Sequence, residues 1–522
     1  MKATSLLWLS ATALAVCAQA QSPSSAPAAQ VQYPLYNEPY RPQYHFSPPT
    51  HFMNDPNGLV YFNGWQLYYQ YNPIELVAGH QAWGHAVSTD LLHWTNLPIA
   101  IPEKPTGQIF TGSAVVDSEN TSGFFDGIPG GGLVAVYTLN EPTNEVQNVA
   151  YSLNGGITYT DYAGNPVLDR HDPNFRDPKV FWHAPTHRWI MTVALPNAHQ
   201  VLFYASSDLK NWRGLSRFGP AGIEGLQWEC PNLLQVPIEG TNQKKWVLVV
   251  GINPGAPQGG SMDEYFVGEF DGTTFRAGDT VGRLMDFGKD FYAAQTYNNT
   301  PTGEAVVVGW VGNWQYAQVV PTSPWRSVFS IPRVLSLRQK ETQTGALLIQ
   351  TPVSLEGLHD QTLYDGSTQI STSPLSIPLQ GNASFEFETT VASTSIPHQQ
   401  QQRLNIDILN GAGEKVTVGY DWSRSQVFVD RGQTYGFSNP FFTSDFSTWA
   451  DNTDPKTKVN AIRLHVLVDR SMLEVFVDNG IQVCTSVFYM QHGPPTEMSW
   501  HAENGNVTVQ DLRAYSLKSV WR

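Results

Sequence analysis

Three acids in this sequence could do chemistry together: Asp55, Asp177 and Glu229. They stand in HFMNDPNG (51–58), FRDPKVFW (175–182) and WECPNLLQV (228–236), and each is followed within two residues by proline. Taken singly, Asn-Asp-Pro and Asn-Gly are turn signals. Taken together, three carboxylates could hold a metal ion or divide the roles of acid, base and nucleophile. Calcium takes six to eight oxygens and zinc takes His or Cys at close spacing. His51, His80, His85 and His93 show no such spacing, so the sequence predicts neither metal nor cofactor. His85 reads as a structural or substrate hydrogen-bonder. Cleavage of a glycosidic bond needs two carboxyls in different protonation states. Glu229, between Trp228 and Cys230 and facing two aspartates, is expected to carry the proton. Asp55, in a loop rich in backbone N–H groups, is expected to be ionised. Asp177, beside Arg176, is suited to holding hydroxyls and stabilising a charged transition state. Cys230 has no positive neighbour to activate it, so it reads as a packed thiol.

Strands must position these acids. Runs such as GLVYFNGWQLYYQY, GLVAVYTL, RWIMTVAL, KKWVLVVGI and EAVVVGWVG alternate or are wholly apolar, and turn residues separate them. A repeat is visible as well. STDLLHW begins at Ser88 and SSDLKNW at Ser206, while YSLNGGITY and GEFDGTTF put Ser152 and Glu269 in the same slot. The steps 88 to 152 to 206 to 269 are 64, 54 and 63 residues. A four-stranded blade with its connections fits that period, and the chain to about Lys340 has room for five. Asp55 to Asp177 is 122 residues and Asp177 to Glu229 is 52, about two periods and one. The acids are therefore expected on the channel-lining strands of blades one, three and four.

Composition narrows the partners. At 522 residues the chain is long enough for two domains. Its formal charge of −15 disfavours nucleic acid and anionic membrane surfaces, whereas a neutral sugar is not penalised. Aromatics reach 12%, which suits inter-sheet packing and stacking on sugar faces. Residues 1–20 read as an export signal: Lys2, an apolar stretch from Leu6 to Val16, then Ala18-Gln19-Ala20. No segment is long enough to span a bilayer, so a secreted, extracellular protein is expected. Residues 21–40 are expected to be disordered. Sequons stand at Asn120, Asn298, Asn382 and Asn506. Cys230 and Cys484 do not make a disulfide framework. The sequence leaves the oligomeric state open. A propeller over 41–350, a linker over 351–360 and a β-sandwich over 361–522 complete the expected all-β organisation. In the last of these, Asp469, Arg470 and Glu474 read as a structural ladder on the sandwich face, with a polar site as the alternative.

Five motifs in order, HFMNDPNG, FTGSAVVD, FRDPKVFW, WECPNLL and DFGKDFYAAQT, resemble the invertase and inulinase family of glycoside hydrolases, family 32. The likeness continues through PTSPWRSVFSIPR and LHVLVDRSMLEVFVDNG and covers nearly the whole chain after the signal. The resemblance implies a five-bladed β-propeller followed by a β-sandwich. It also implies a retaining β-fructofuranosidase acting on sucrose and related fructosides, with fructosyl transfer to other sugars or exo-acting fructan hydrolysis as variants. It makes Asp55 the nucleophile, Asp177 the transition-state stabiliser and Glu229 the acid/base. It assigns sugar contacts to Asn54, Gln70, Trp83, Phe110, Ser113, Arg176, Tyr292 and Trp310. Many members carry tryptophan where this chain has Phe52, whose ring is expected to wall the pocket. The lead-in GHQAWGH at 79–85 is also unfamiliar. Two readings compete with this one. A sugar-binding propeller without activity would lack one of the acids. An inverting glycosidase on arabinose or xylose chains would not carry the NDPNG and EC motifs.

Overall fold

The computed structural model of the chain describes residues 36–339, 345–393, 401–450 and 460–521. Residues 1–20, and 21–35 of the segment expected to be disordered, lie outside the described residues. Tyr36 to Tyr40 do not follow that expectation. The Tyr36 ring stacks on Trp521 at 4.0 Å, and Tyr40 donates its hydroxyl to the Met490 carbonyl. Two aromatics with buried partners outweigh the ordering entropy of this short stretch.

Strands dominate, and the helical elements among the described residues are three 3-10 turns. Five sheets of four or five strands follow one another from His51 to Pro352. Their innermost strands are His51–Tyr61, Gln108–Asp117, Arg176–His183, Trp228–Pro237 and Tyr292–Thr296. Each innermost strand touches the next, and the fifth touches the first, so the ring closes as a five-bladed propeller. Period-two alternation builds its seams. Val247 and Val249 face blade five, while Leu248 and Val250 face blade three. Val134 and Val136 likewise face blade three, and Ala135 and Tyr137 face blade one. Each of the five seams has its own apolar cluster.

The sequence repeat is the hairpin between the third and fourth strands of blades one to four. Ser88 Oγ accepts from the backbone N–H of Leu91 at 2.9 Å, and Ser206 Oγ from that of Asp208 at 3.1 Å. In both turns a leucine at positive φ offers its carbonyl to the indole N–H of the following tryptophan: Leu91 to Trp94 and Leu209 to Trp212. Ser152 does the same work through the Gly156 N–H, and Asp271 through Thr273 and Thr274. The corresponding hairpin of blade five, between Arg333–Gln339 and Ala346–Pro352, includes residues 340–344, which lie outside the described residues.

Past a 3-10 turn at Glu356–Leu358, two six-stranded antiparallel sheets form the second unit. They enclose a core that includes Phe385, Phe387, Ile406, Val418, Trp422, Val466 and Trp500. Asp469 and Glu474 are not on a sandwich surface. They are fully buried against the propeller. Asp469 accepts from the backbone N–H groups of Gln43, Tyr44 and His45. His45 reaches Asp469 at 3.0 Å and Glu474 at 3.1 Å through its two ring nitrogens, and Arg333 donates to Glu474 at 2.5 Å.

Burial alone would push the His45 imidazole down, but hydrogen bonds to Asp469 and Glu474 outweigh it and hold it at about 9. Its contribution to stability is therefore complete below about pH 6.5 and lost as pH rises through about 9. For both carboxyls burial acts upward, but their partners outweigh it and hold them below the usual range. Their contribution is present above roughly pH 4.5 and is lost on acidification. Glu474→Gln should cost about 3–5 kcal/mol, because it removes a buried charge that Arg333 and His45 share and leaves them Asp286 and Asp469 alone as counter-charges. Melting curves across pH test this. A variant that melts with the wild type at pH 6 would refute the network's role.

Candidate active site

All five innermost strands shift register at the same height. The breaks fall between Met53 and Pro56, Ile109 and Gly112, Arg176 and Lys179, Glu229 and Asn232, and Tyr292 and Gln295. Each is a β-bulge, which bends a strand and re-aims its side chains. Asp177, Cys230 and Ala293 take positive φ there, at 66°, 49° and 52°. Non-glycine residues adopt that region at a cost, which is commonest at functional sites. The two bulge prolines, Pro178 and Pro231, fit because a bulge position has no ladder N–H to supply. The Asp-Pro signal at Asp55 is thus not a turn: the motif lies within the first strand, His51–Tyr61.

The bulges turn the acids into one cavity of 390 Å³, lined in part by Asn54, Asp55, Asp177, Glu229, Arg176 and Tyr292. Asp55 is 8% exposed and Asp177 5%, while the Glu229 side chain is 14% exposed. Asp55 accepts from Thr111 Oγ1 at 2.6 Å and from Asn54 Nδ2 at 3.0 Å. The Cys230 thiol donates to Asp55 at 3.5 Å and to Asp177 at 3.6 Å, and the Cys230 N–H donates to Asp177 at 2.9 Å. Glu229 accepts from Arg176 at 2.8 Å, from the Tyr292 hydroxyl at 2.5 Å and from Asn253 Nδ2 at 3.1 Å. Glu145 braces the other side of Arg176 at 3.3 Å.

Burial sets the electrostatics of the two aspartates. Burial pushes the Asp55 carboxyl up, and the charge of Glu229 adds to that; the Thr111, Asn54 and Cys230 donors oppose it. Burial pushes Asp177 up too, and Arg176 only partly offsets burial and the two neighbouring acids. Burial likewise pushes the Cys230 thiol well up, followed by the charge of Asp177. It therefore stays protonated and acts as a donor between two acids, more than the packed thiol expected. Burial works against the Arg176 charge, but Glu229, Asp177 and Glu145 outweigh it.

Of the eight expected sugar contacts, Asn54, Gln70, Phe110, Arg176 and Tyr292 line the cavity. The other three stand behind it. Ser113 Oγ donates to the Pro178 carbonyl and accepts from Val180 N–H, which ties the second blade to the Asp177 strand. Trp83 donates its indole N–H to the Phe110 carbonyl. Trp310 is fully buried, 4.8 Å from Trp314 and 6.5 Å from Tyr292, ring to ring. Phe52 also sits behind, packed on Trp310 and Trp314, and does not wall the pocket. His85 is buried between Gln66 and the Tyr68 ring, away from the cavity. Sequence reasoning missed Thr111, Gln81, Asn253, Trp314 and Glu145. Thr111 alone had a usable signal, its position at the bulge of a channel strand. Asn253 comes from a loop after a neighbouring strand, and no local pattern marks it.

Removing the Tyr292 hydroxyl takes one hydrogen bond from a charged acceptor, worth about 1.5–3 kcal/mol. Tyr292→Phe should lower kcat/KM by roughly 10- to 150-fold with KM little changed. A loss confined to KM would mean that the hydroxyl binds sugar and does not position Glu229.

The chain is similar to known proteins over nearly its whole length. Residues 45–352 match the glycosyl hydrolases family 32 N-terminal domain, and residues 335–516 match the family 32 C-terminal domain. A levanase of Bacillus subtilis is 41% identical over 506 residues, 95% of this chain and 73% of its own length. An invertase of Schizosaccharomyces pombe is 40% identical over 514 residues, 93% of this chain and 86% of its own. The structure of a β-fructofuranosidase from Schwanniomyces occidentalis, complexed with fructosyl-erythritol, superposes with a TM-score of 0.87 at 36% identity. That match covers 93% of this chain and 99% of the other. With both halves matched and the acids gathered in one funnel, this chain belongs to family 32 of the glycosyl hydrolases.

Proposed function

We propose that this protein is an extracellular β-fructofuranosidase that releases terminal fructose from sucrose and related fructans with retention. The convergence of Asp55, Asp177 and Glu229 on one small cavity carries the reading. Asp55 attacks the anomeric carbon of a terminal fructofuranosyl unit as Glu229 protonates the bridging oxygen. The glycosidic C–O bond breaks, and a fructosyl ester of Asp55 forms. Glu229 then takes a proton from water, whose oxygen displaces Asp55 and regenerates both carboxyls. Asp177 and Arg176 face the same volume and hold hydroxyls of the sugar through the charged transition state. Gln70 Oε1 and Gln81 Oε1 have no hydrogen-bond partner among the described residues, and substrate hydroxyls would satisfy them. Relatives named levanase, exo-inulinase and invertase support the substrate class, and extracellular exo-inulinases among them support export.

A sugar hydroxyl can open the same ester in place of water, which would build fructo-oligosaccharides. Incubation with dilute and concentrated sucrose tests both routes. Equal glucose and fructose at low concentration, with kestose only at high concentration, is the expected result. Failure to release fructose from sucrose or inulin would overturn the proposal.

We assign glycans to Asn120, Asn382 and Asn506 rather than to Asn298. Asn298 Nδ2 donates to two carbonyls, those of Ala114 and Val180 on two channel strands, and a glycan would replace one of those hydrogens, whereas Asn120 and Asn382 each give a single hydrogen bond, to Asp126 and to the Leu517 carbonyl, and keep a hydrogen for it. Peptide mapping of the secreted protein should find Asn298 unmodified. Full occupancy there would refute the assignment.

A further inference from the structure

A second cavity, of 580 Å³, lies away from the acids, on the outer face of one sandwich sheet and beneath residues 351–356. Part of that face is covered: Leu467, Phe476 and Leu517 pack with Tyr44, Leu92 and Ile331 of the propeller side. The part beside it is open and polar. Strand register sets Glu388 between Arg513 and His465, and Glu386 opposite Tyr515. Glu388 accepts from Arg463 at 3.2 Å and from Arg513 at 3.3 Å. Glu386 is shared by His465, at 2.8 Å, and His359, whose ring stacks on Tyr515 at 4.0 Å.

Stability does not account for the exposed half of this row. The Arg463 and Arg513 side chains are 49% and 52% exposed, and ion pairs so placed contribute little. The cavity is of ordinary ligand size. Its chemistry selects against ions. An anion would meet Glu356, Glu386 and Glu388, and a cation would meet two guanidiniums. His359 and His465 both turn a nitrogen to Glu386, so they do not converge on a common metal position. A neutral ligand with adjacent hydroxyls suits the row. It can donate to a carboxylate and accept from the next guanidinium, each of which has four further N–H donors beyond the one given to Glu388. The stacked Tyr515 and His359 rings supply an apolar edge for C–H groups.

We propose that this cavity is a second carbohydrate-binding site, which takes a stretch of neutral oligosaccharide outside the catalytic funnel. It shares the sugar class of the proposed function but not the roles of the three acids. The test uses the full-length chain carrying Glu229→Gln, titrated calorimetrically with nystose. Two classes of site are expected, and adding Glu388→Ala should remove one. With Glu229 intact, Glu388→Ala should raise KM for inulin several-fold and leave KM for sucrose unchanged. Arg513→Gln, at a half-exposed position, serves the same purpose if Glu388→Ala fails to fold. A single class of nystose site in the Glu229→Gln chain overturns the proposal. So does an unchanged KM for inulin in both variants, or displacement of the second nystose by inorganic phosphate. An enzyme inert on every fructoside would defeat the catalytic reading alone, since the titration does not require turnover.

Discussion

Asp55→Asn should abolish turnover without loosening the fold. An amide cannot form the fructosyl ester, so kcat should fall by at least roughly 10⁴-fold. Stability should move the other way or not at all. Burial raises the Asp55 carboxyl in the folded chain, so its ionisation costs folding energy once pH exceeds the ordinary carboxylate range. The amide removes that cost and its oxygen can still accept from Thr111, while its nitrogen takes the place of the oxygen that met Asn54 and gives up that one hydrogen bond. A melting temperature at neutral pH equal to or above wild type is therefore expected, together with near-zero activity. Substantial residual kcat would remove Asp55 from the mechanism. A large drop in melting temperature would show that Asp55 serves the fold.

Glu229→Gln should fail differently. General acid–base assistance is worth on the order of 10²–10⁴-fold, and the glucose that leaves from sucrose is a poorly acidic sugar hydroxyl whose oxygen needs a proton. Most of that factor should be lost on sucrose. A fructoside with an acidic phenol as leaving group needs no proton, so formation of the ester should be largely spared and its hydrolysis should become limiting. A burst of phenol followed by a slow phase is the expected trace. Azide, which needs no general base, should speed the slow phase and yield a fructosyl azide. Equal losses on both substrates, with no burst, would contradict the acid/base assignment. Glu229 is the most accessible of the three acids and is held by donors from blades three, four and five. Such a placement suits a group that must meet both leaving group and water.

How much of this could be read beforehand depends on the range of the interaction. Ser88, Ser152, Ser206 and Asp271 close their hairpins through contacts within a few residues, so the blade repeat shows in the chain as written. Apolar alternation along Leu133–Leu139 or Trp246–Val250 is equally local, and it announces strands with two buried faces. The phase of Asp55, Asp177 and Glu229 against that repeat placed them on channel strands. Which side chains face the cavity could not be read this way. A bulge shifts a strand by one residue, and that shift reverses inside and outside. Phe52 and Ser113 therefore stand behind the pocket while Thr111 lines it; Trp83 and Trp310 lie on outer strands of their blades, and Asn253 reaches the pocket from a loop.

The sequence by itself determined an all-β chain, the blade period, the three acids and the family to which they belong, because each rests on residue type and short spacing. Tertiary structure decided the rest. Donors from three blades meet on Glu229, burial raises the two aspartates, and His45 and Arg333 lock the sandwich to the propeller. Hydration loss and charge proximity depend on what surrounds a group in three dimensions, and residues hundreds of positions apart supply those surroundings only after the ring has closed.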